Sequence, residues 1–586
     1  MLVFNENHKC FVPVFNENQK CYAPVFHENQ KSCALVLHKN QKSYTLVLHE
    51  NHKCLFLWKA LFPCAILETM KTVSKSKQIM INMAASMVST LVSLAISFVL
   101  SPIIIDKLNF EAYGFWTLAN DFVSYANIAA MALNSMAGRF ITVSLTKGDY
   151  DNANKYFNST MYANIAIVAF MFLPCVFIVT FLEHLVNISS ALIPDVKLLF
   201  ALTFLNFMVT IISTTFSTAT FAANRLDLQA FRTIESQLLR SAILVITFFF
   251  LPIHVSYMAL ASVIATTYML ISYIHYTKKL MPQIEISRKH FSMKKVIEIL
   301  SAGVWNTIMR AGQTLTNGLD ILITNLMIGG EEMGYVSTSK TIAVAINTLY
   351  ETISAVFTPS LTISYAKENK EELLQDLTSA MKMTGFFANI PLCFVIAFGI
   401  PFYTLWLPRT EMASDHSVII MIYLLTVLTM FGTIVGGVIS PLFNVYTVVN
   451  KLKWNSLMTL YMGIANTIIV FILLKTTNLY VYAVAGTSTV LGIIKNLTFT
   501  PMYAAHCLGV SKRSFYPTII RYVVVSIAMC VAFCGLYLVL PTTNWMWLFI
   551  DIVICGVTGS VINILFLFGQ KERAMLLDVV KKYVRK

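Results

Sequence analysis

The stretch Met383–Trp406 reads MTGFFANIPLCFVIAFGIPFYTLW. It runs for 24 residues without an Asp, Glu, Lys or Arg. About 20 apolar residues in a helix cross the ~30 Å hydrocarbon core of a bilayer. Working outward, similar runs recur in both directions. Spans are expected at Ile79–Ile105, Tyr113–Ala137, Phe157–Phe181, Val196–Ala223, Gln237–Ile253 and Val255–Tyr276. The second group is Val304–Ile328, Tyr335–Tyr365, Met383–Trp406, Val418–Val445, Asn455–Leu474, Val481–Met502, Pro517–Leu540 and Trp545–Leu567. In lipid every backbone N–H and C=O must be satisfied internally, so these spans are helices. The expected fold is an all-α polytopic membrane protein with about 14 transmembrane helices.

Composition agrees. The chain has 586 residues, 57% hydrophobic and 12% charged, against about 25% charged in soluble domains. That excludes a soluble multidomain enzyme and a disordered scaffold. The longest connections are too short for a nucleotide-binding domain, and no phosphate-binding glycine loop, His-Glu-x-x-His or Gly-x-Ser-x-Gly run occurs. An ATP-driven pump contained in this chain is therefore excluded, and no paired carboxylates or large loop suggest an enzyme. Five of the 11 cysteines precede Met70, and the other six lie mostly in apolar runs. None has the spacing of a zinc site, and buried free thiols are the expectation.

Residues 1–69 stand apart. An 11-residue unit repeats from Val3, Val14, Val25, Val36 and Val47, as in VFNENHKCFVP and VFNENQKCYAP. Pro13, Pro24 and the many Asn residues oppose a helix. The expectation is a translated repeat upstream of the working protein, which then opens at Met70 with MKTVSKSKQIM. Intact-mass measurement of native protein tests that start.

The formal net charge of +14 raises the question of nucleic acid, but the positions of the charges answer it. Of the 36 Lys and Arg from Met70 onward, 29 fall on the face that carries both termini when the spans alternate. Such asymmetry marks that face as cytoplasmic, and no nucleic-acid partner is expected. The basic stretch from Lys278 to Lys295 separates six spans from eight. A shift of 220 residues places Glu111-Ala-Tyr-Gly-Phe115 on Glu331-Glu-Met-Gly-Tyr335, Asn127 on Asn347, and Thr142 on Thr362. Six spans separate the copies, so the repeats are parallel, an architecture of transporters with the site between the halves. The expected organisation is a first lobe at 70–277, a cytoplasmic linker at 278–303, a second lobe at 304–502, and two further spans with a basic tail at 503–586.

Polar side chains recur at steps of three and four in four spans, which puts each set on one helix face. The first span has Asn82, Ser86, Ser89, Ser93 and Ser97; the fourth has Asn206, Thr210, Ser213, Ser217, Thr220 and Asn224. These can be helix–helix glue. The seventh and eighth add charge. Arg310, Gln313, Asn317 and Asp320 share the seventh, and Lys340, Asn347 and Glu351 the eighth. An ionisable group inside a span is costly and points to a substrate or ion path. Arg310 and Asp320 are about 15 Å apart along the helix and cannot pair with each other. The candidate substrate cavity is Arg310, Gln313, Asn317, Lys340 and Asn347, and the candidate ion-coupling groups are Asp320, Glu351 and Asp121. Structural ion pairs are the competing reading. Lys495 and Asp551 lie in later spans near an interface, and no histidine is assigned.

The runs Ser97–Asp121 (SFVLSPIIIDKLNFEAYGFWTLAND), Asp320–Lys340 (DILITNLMIGGEEMGYVSTSK) and Thr358–Asn369 (TPSLTISYAKEN) resemble the multidrug/oligosaccharidyl-lipid/polysaccharide (MOP) exporter superfamily. Within it the chain is similar to the polysaccharide biosynthesis proteins, the Wzx-type O-antigen flippases. The resemblance covers Met70–Lys586; the N-terminal repeat has no counterpart. It implies two six-helix lobes in a V, followed by two C-terminal helices. It also implies a non-enzymatic flippase that moves undecaprenyl-pyrophosphate-linked oligosaccharide from the cytoplasmic to the outer leaflet by alternating access. Proton or sodium coupling would replace any cofactor. Implied partners are the lipid-linked oligosaccharide, membrane lipid, a polysaccharide polymerase and a chain-length regulator. The implied location is the bacterial inner membrane, in lipopolysaccharide O-antigen assembly. A drug or cation antiporter of the same superfamily is the alternative, followed by a membrane glycosyltransferase or ligase.

Overall fold

The computed structural model describes residues 26–28, 31–33, 75–366, 369–407, 416–570 and 572–573. Within the repeat segment, Phe26–Glu28 pairs antiparallel with Lys31–Cys33, Phe26 facing Cys33 and Glu28 facing Lys31. The remainder of that segment, and with it the reading of 1–69 as an upstream extension, lies outside the described residues. So does the basic tail beyond residue 573.

Lys75–Lys586 form one compact unit whose described elements are all helical. In chain order they are α1 (Lys75–Leu108), α2 (Phe110–Thr146), α3 (Tyr150–Thr180), α4 (Ile193–Ala222), α5 (Leu226–Phe250) and α6 (Ser256–Leu280). Then follow α7 (Met293–Gln313), α8 (Asp320–Met327), α9 (Gly330–Ala366), α10 (Lys370–Trp406), α11 (His416–Val448) and α12 (Lys453–Thr476). The last four are α13 (Val481–Leu497), α14 (Phe499–Leu508), α15 (Tyr516–Tyr537) and α16 (Trp545–Ile562). One-turn helices at Leu182–Leu185, Ser190–Leu192 and Arg288–His290 sit in connections.

Among the described residues, twelve helices are long and apolar enough to cross a membrane. The other two expected spans are interrupted. The seventh is α7, a π-helical segment at Thr314–Gly318, and α8. The twelfth is α13 and α14, broken at Thr498. Pro501 explains that break. It has no N–H to offer Leu497, four residues back, and the Tyr516 hydroxyl donates to the Leu497 carbonyl instead, at 2.7 Å. Tyr516→Phe leaves that carbonyl without a donor. The expected cost is about 1–3 kcal/mol, read as a lowered melting temperature of the detergent-solubilised protein.

Helix starts follow local chemistry. Asn109, Asp149, Asn369 and Asn544 each accept a bond from the backbone N–H three residues on, satisfying one orphan donor of α2, α3, α10 and α16. Tight connections use left-handed residues at Asn224 (φ 53°) and Asn450 (φ 55°). Phe170, Phe250 and Leu538 are 71%, 81% and 84% exposed. An apolar surface of this kind suits lipid rather than water. Inside, α10 is lined by fully enclosed Leu392, Phe398 and Tyr403.

The fifth span begins eleven residues earlier than expected, at Leu226. Arg232, which precedes the expected start at Gln237, therefore lies inside α5 together with Arg240. Arg232 satisfies its charge there with Glu235 (2.5 Å), the Tyr268 hydroxyl (2.8 Å) and the Tyr276 hydroxyl (3.0 Å). Tertiary partners, invisible along the chain, make that placement affordable.

Candidate functional site

The site lies where α2 meets α7, α8 and α9. The loop that opens α2 and the loop that opens α9 meet at the end of the bundle away from the basic loops. A Cβ on Gly334 would stand 2.2 Å from the Phe110 carbonyl oxygen, and one on Gly114 would stand 3.1 Å from the Gly334 nitrogen. Gly114 and Gly334 are the pair related by the 220-residue shift, so the repeated glycines exist to let two backbones touch. Phe110 and Tyr335 rings close the crossing at 5.1 Å, and the Tyr113 and Thr341 hydroxyls meet at 3.1 Å. A second closure at the same end joins α1 to α10. There the Trp406 indole donates to the Phe98 carbonyl at 3.0 Å and stacks on the Phe98 ring.

Below that closure the seventh span loses its α-helical ladder. The π-helical segment redirects the carbonyls of Leu315, Thr316, Asn317 and Gly318, and side chains from three other helices collect them. Asn466 of α12 donates to Thr316 at 3.0 Å, and Thr467 to Leu315 at 3.3 Å. Lys340 of α9 donates to Asn317 at 2.8 Å, and Tyr125 of α2 donates to Gly318. Single-turn π segments inside helices are frequent at functional sites. Broken spans lined by protein are where membrane transporters place theirs.

Asp320 follows the break as the first residue of α8. It is 2% exposed and receives the Lys340 ammonium at 2.7 Å. Its other carboxylate oxygen is buried without a partner. Asp121 of α2 lies close enough to feel the charges of both Lys340 and Asp320. The structure thus brings Asp121, Asp320 and Lys340 into one group, and the Asp320–Lys340 contact is a buried ion pair. Asn347 lies further down α9, with its amide oxygen buried and unpartnered.

Arg310 and Glu351 form a second level nearer the basic end. Glu351 is exposed and feels the Arg310 charge. No ion pair joins them among the described residues, and Arg310 makes no hydrogen bond there either. Gln313 and Asn317, one and two turns on from Arg310, are both exposed. Gln313 closes α7 and Asn317 lies in the π-helical segment, so the polar face that begins at half-buried Arg310 continues across the break. About 25 Å of helix separates Arg310 from the start of α7.

The first and fourth stripes behave differently. Asn82 donates to Asn224 at 3.0 and 2.9 Å and accepts from the Asp227 N–H at 3.1 Å. Ser93, Thr210 and Ser217 bond to carbonyls of their own helices. Asn82 thus ties the first span to the turn after the fourth, as the competing reading held, while Ser93, Thr210 and Ser217 are satisfied within their own helices. Lys495 donates to Thr459 at 2.7 Å, and Asp551 accepts from Thr542 at 2.7 Å; neither joins the site. Arg240 is the residue the sequence reading missed. Its guanidinium lies 5.3 Å from the Trp116 ring centre, and its Nε is buried without a partner. Its sequence signal was its place inside the expected fifth span, Gln237–Ile253. Among the described residues no three His, Cys, Asp or Glu side chains gather to hold a metal.

Comparison with known proteins places this geometry. Residues 79–362 match the family model described as "Polysaccharide biosynthesis protein". The chain is 25% identical over 507 residues to EpsK, an uncharacterized membrane protein of Bacillus subtilis strain 168, covering 86% of this chain and 98% of that one. Among solved structures it is similar to the lipid II flippase MurJ in an inward closed conformation. There the TM-score is 0.60 at 16% identity, over 83% of this chain and 98% of that one. An inward-facing multidrug resistance MATE transporter of the MOP superfamily gives 0.58 at 12% identity, over 74% and 99%. Residues 79–362 thus match the model of the polysaccharide biosynthesis proteins, and the helical unit shares its fold with these solved transporters.

Proposed function

We propose that this protein is a lipid-linked oligosaccharide flippase, with the basic end of the bundle in the cytoplasm. A glycan and its pyrophosphate cannot cross hydrocarbon unaided. A chamber between the two helical halves carries the headgroup while the polyprenyl tail stays in lipid. The observation that carries this reading is Arg310, a mid-membrane guanidinium with no hydrogen bond or ion pair among the described residues, flanked by exposed Gln313 and Asn317. An unpaired guanidinium offers charge-assisted, bidentate bonds to a phosphate or an acidic sugar. Glu351, exposed and within reach of the Arg310 charge, is the group that a coupling proton or sodium ion would engage. The tight crossing at Gly114 and Gly334 supports reading that end as the closed gate of an alternating-access cycle.

A cationic-drug antiporter, the other reading the fold permits, fits less well. Arg310 and Lys340 put positive charge where such a cargo would sit. The two readings separate in proteoliposomes holding the full chain. A fluorescent short-chain lipid-linked oligosaccharide is expected to become accessible across the bilayer at a rate proportional to the protein. Uptake of a cationic dye with no glycan-lipid movement would overturn the proposal.

Gly334→Val tests the alternating cycle. The added side chain cannot coexist with the Phe110 carbonyl at 2.2 Å, so the closed crossing is disfavoured and the outward-facing state gains population. Labelling of a cysteine introduced at Thr341 by an impermeant maleimide is expected to rise about tenfold over the same cysteine beside Gly334. Unchanged labelling would show that this crossing is not a gate.

A further inference from the structure

A pocket of about 410 Å³ opens at the basic end of the bundle, away from the chamber just described. Its polar and aromatic lining comes from Trp305 of α7, Lys451, Lys453 and Trp454 at the α11–α12 turn, and Tyr503 and His506 of α14. Among the described residues no carboxylate lines it. The turn is held in shape. Asn450 adopts φ 55°, the Lys451 N–H bonds to the Tyr446 carbonyl at 2.9 Å, and the Tyr503 hydroxyl donates to the Lys451 carbonyl at 3.1 Å. The Lys453 ammonium sits between two indoles, 5.6 Å from the Trp305 ring centre and 6.0 Å from that of Trp454.

The electrostatics of this pocket are one-sided. Lys453 is the first residue of α12, whose first turn carries no acid and whose preceding residue, Leu452, offers no side-chain cap. Helix starts favour negative charge and disfavour lysine. Two lysines therefore converge, with a histidine beside them and no carboxylate among the described lining residues. Interfacial tryptophans and lysines often do no more than anchor a helix to the headgroup layer. Trp454, 59% exposed, serves that purpose. Trp305 does not, because it is half-buried on the seam between α2 and α7. Two residues before it, a Cβ on Gly303 would lie 1.9 Å from the Ala132 carbonyl oxygen, and one residue after it Asn306 donates to Ser135 at 3.1 Å. Met136 of α2 completes the wall on that side. Trp305 precedes Arg310 by five residues, about 8 Å along the same helix.

We propose that this pocket is a loading site for the diphosphate group of a polyprenyl lipid in the cytoplasmic leaflet, from which the headgroup passes along α7 to Arg310. The assignment rests on the flippase reading and adds a second binding site to it. The diphosphate of a glycan-bearing polyprenyl lipid carries two negative charges, and the pocket presents two lysines with a histidine beside them. A bulk anionic phospholipid such as phosphatidylglycerol carries one. The aromatic walls suit the first isoprene units or the first sugar.

The test is equilibrium binding of radiolabelled polyprenyl diphosphate to the full chain in phosphatidylcholine nanodiscs, on the Arg310→Ala background so that the chamber is silent. A saturable site is expected to remain. Lys451→Gln with Lys453→Gln is expected to weaken it about tenfold or more. Lys512→Gln with Arg513→Gln, a similar charge loss on the same face, leaves it unchanged. Phosphatidylglycerol and inorganic pyrophosphate are expected to compete poorly. Affinity unchanged by the Lys451 and Lys453 substitutions overturns the pocket while leaving the flippase reading standing. Equal competition by phosphatidylglycerol overturns the diphosphate assignment in favour of a general anionic-lipid site. No binding to the unsubstituted chain overturns both proposals.

Discussion

Arg310→Ala is expected to reduce glycan-lipid flipping about a hundredfold or more while leaving the protein folded and inserted. The magnitude follows from the contact proposed. A hydrogen bond to a charged group contributes about 1.5–3 kcal/mol, a bidentate pair roughly twice that, and each ~1.4 kcal/mol is a factor of ten. The stability half of the expectation follows from the structure. Arg310 makes no hydrogen bond or ion pair among the described residues, so its removal strands no partner. Melting in detergent should match the parent chain to within about two degrees, since only changes near 1 kcal/mol move it further. Arg310→Lys keeps the charge and loses the planar fork, and an intermediate rate is expected. A substituted protein that flips normally, or one that simply fails to fold, would remove Arg310 from the cargo site.

The largest stability effect is expected at Asp320→Ala. Asp320 is 2% exposed and holds Lys340 at 2.7 Å. Removing one member of a buried pair leaves the other charge without compensation, at about 3–5 kcal/mol. Lys340 keeps its bond to the Asn317 carbonyl and still feels Asp121, so the lower part of that range is expected. The sequel separates pairing from coupling. Asp320→Ala with Lys340→Met removes both charges and is expected to recover most of the lost stability, because an apolar replacement of a buried pair is often neutral. If transport stays absent in that stable double variant, the pair does more than hold the fold. If transport returns, the competing reading of a structural ion pair is correct and Asp320 leaves the list of coupling groups. Melting temperature and flipping rate, measured on the same three proteins, decide between them.

Much of this arrangement was legible along the chain. The spacing that put Arg310, Gln313 and Asn317 on one face is matched by an exposed Gln313 and Asn317 beside a half-buried Arg310. The 220-residue shift that aligned Gly114 with Gly334 aligns the two residues at the closest backbone approach between α2 and α9. Other features were not legible. Asp320 and Lys340 read as charges in two spans with an ion pair as the competing reading, and only their 2.7 Å separation makes them one paired unit. Asn82 and Asn224 had the same periodicity as the seventh-span stripe and proved to bond each other. Arg232 was hidden because hydropathy falls off before α5 does: polar residues near its start are satisfied by neighbours such as Tyr268 and Tyr276.

The amino-acid sequence by itself determined that this chain is a bundle of membrane-crossing helices, and which side chains share a helix face. Backbone hydrogen bonding in lipid admits few alternatives, and the 3.6-residue period does the rest. The tertiary structure alone decided what each polar face meets. Helical periodicity gives a direction around one axis but not the identity of the neighbour across it. Whether a buried polar group is glue, a paired charge or an open binding surface depends on that neighbour. In this fold the seventh span breaks just after Arg310, and its freed carbonyls are held by Tyr125, Lys340, Asn466 and Thr467.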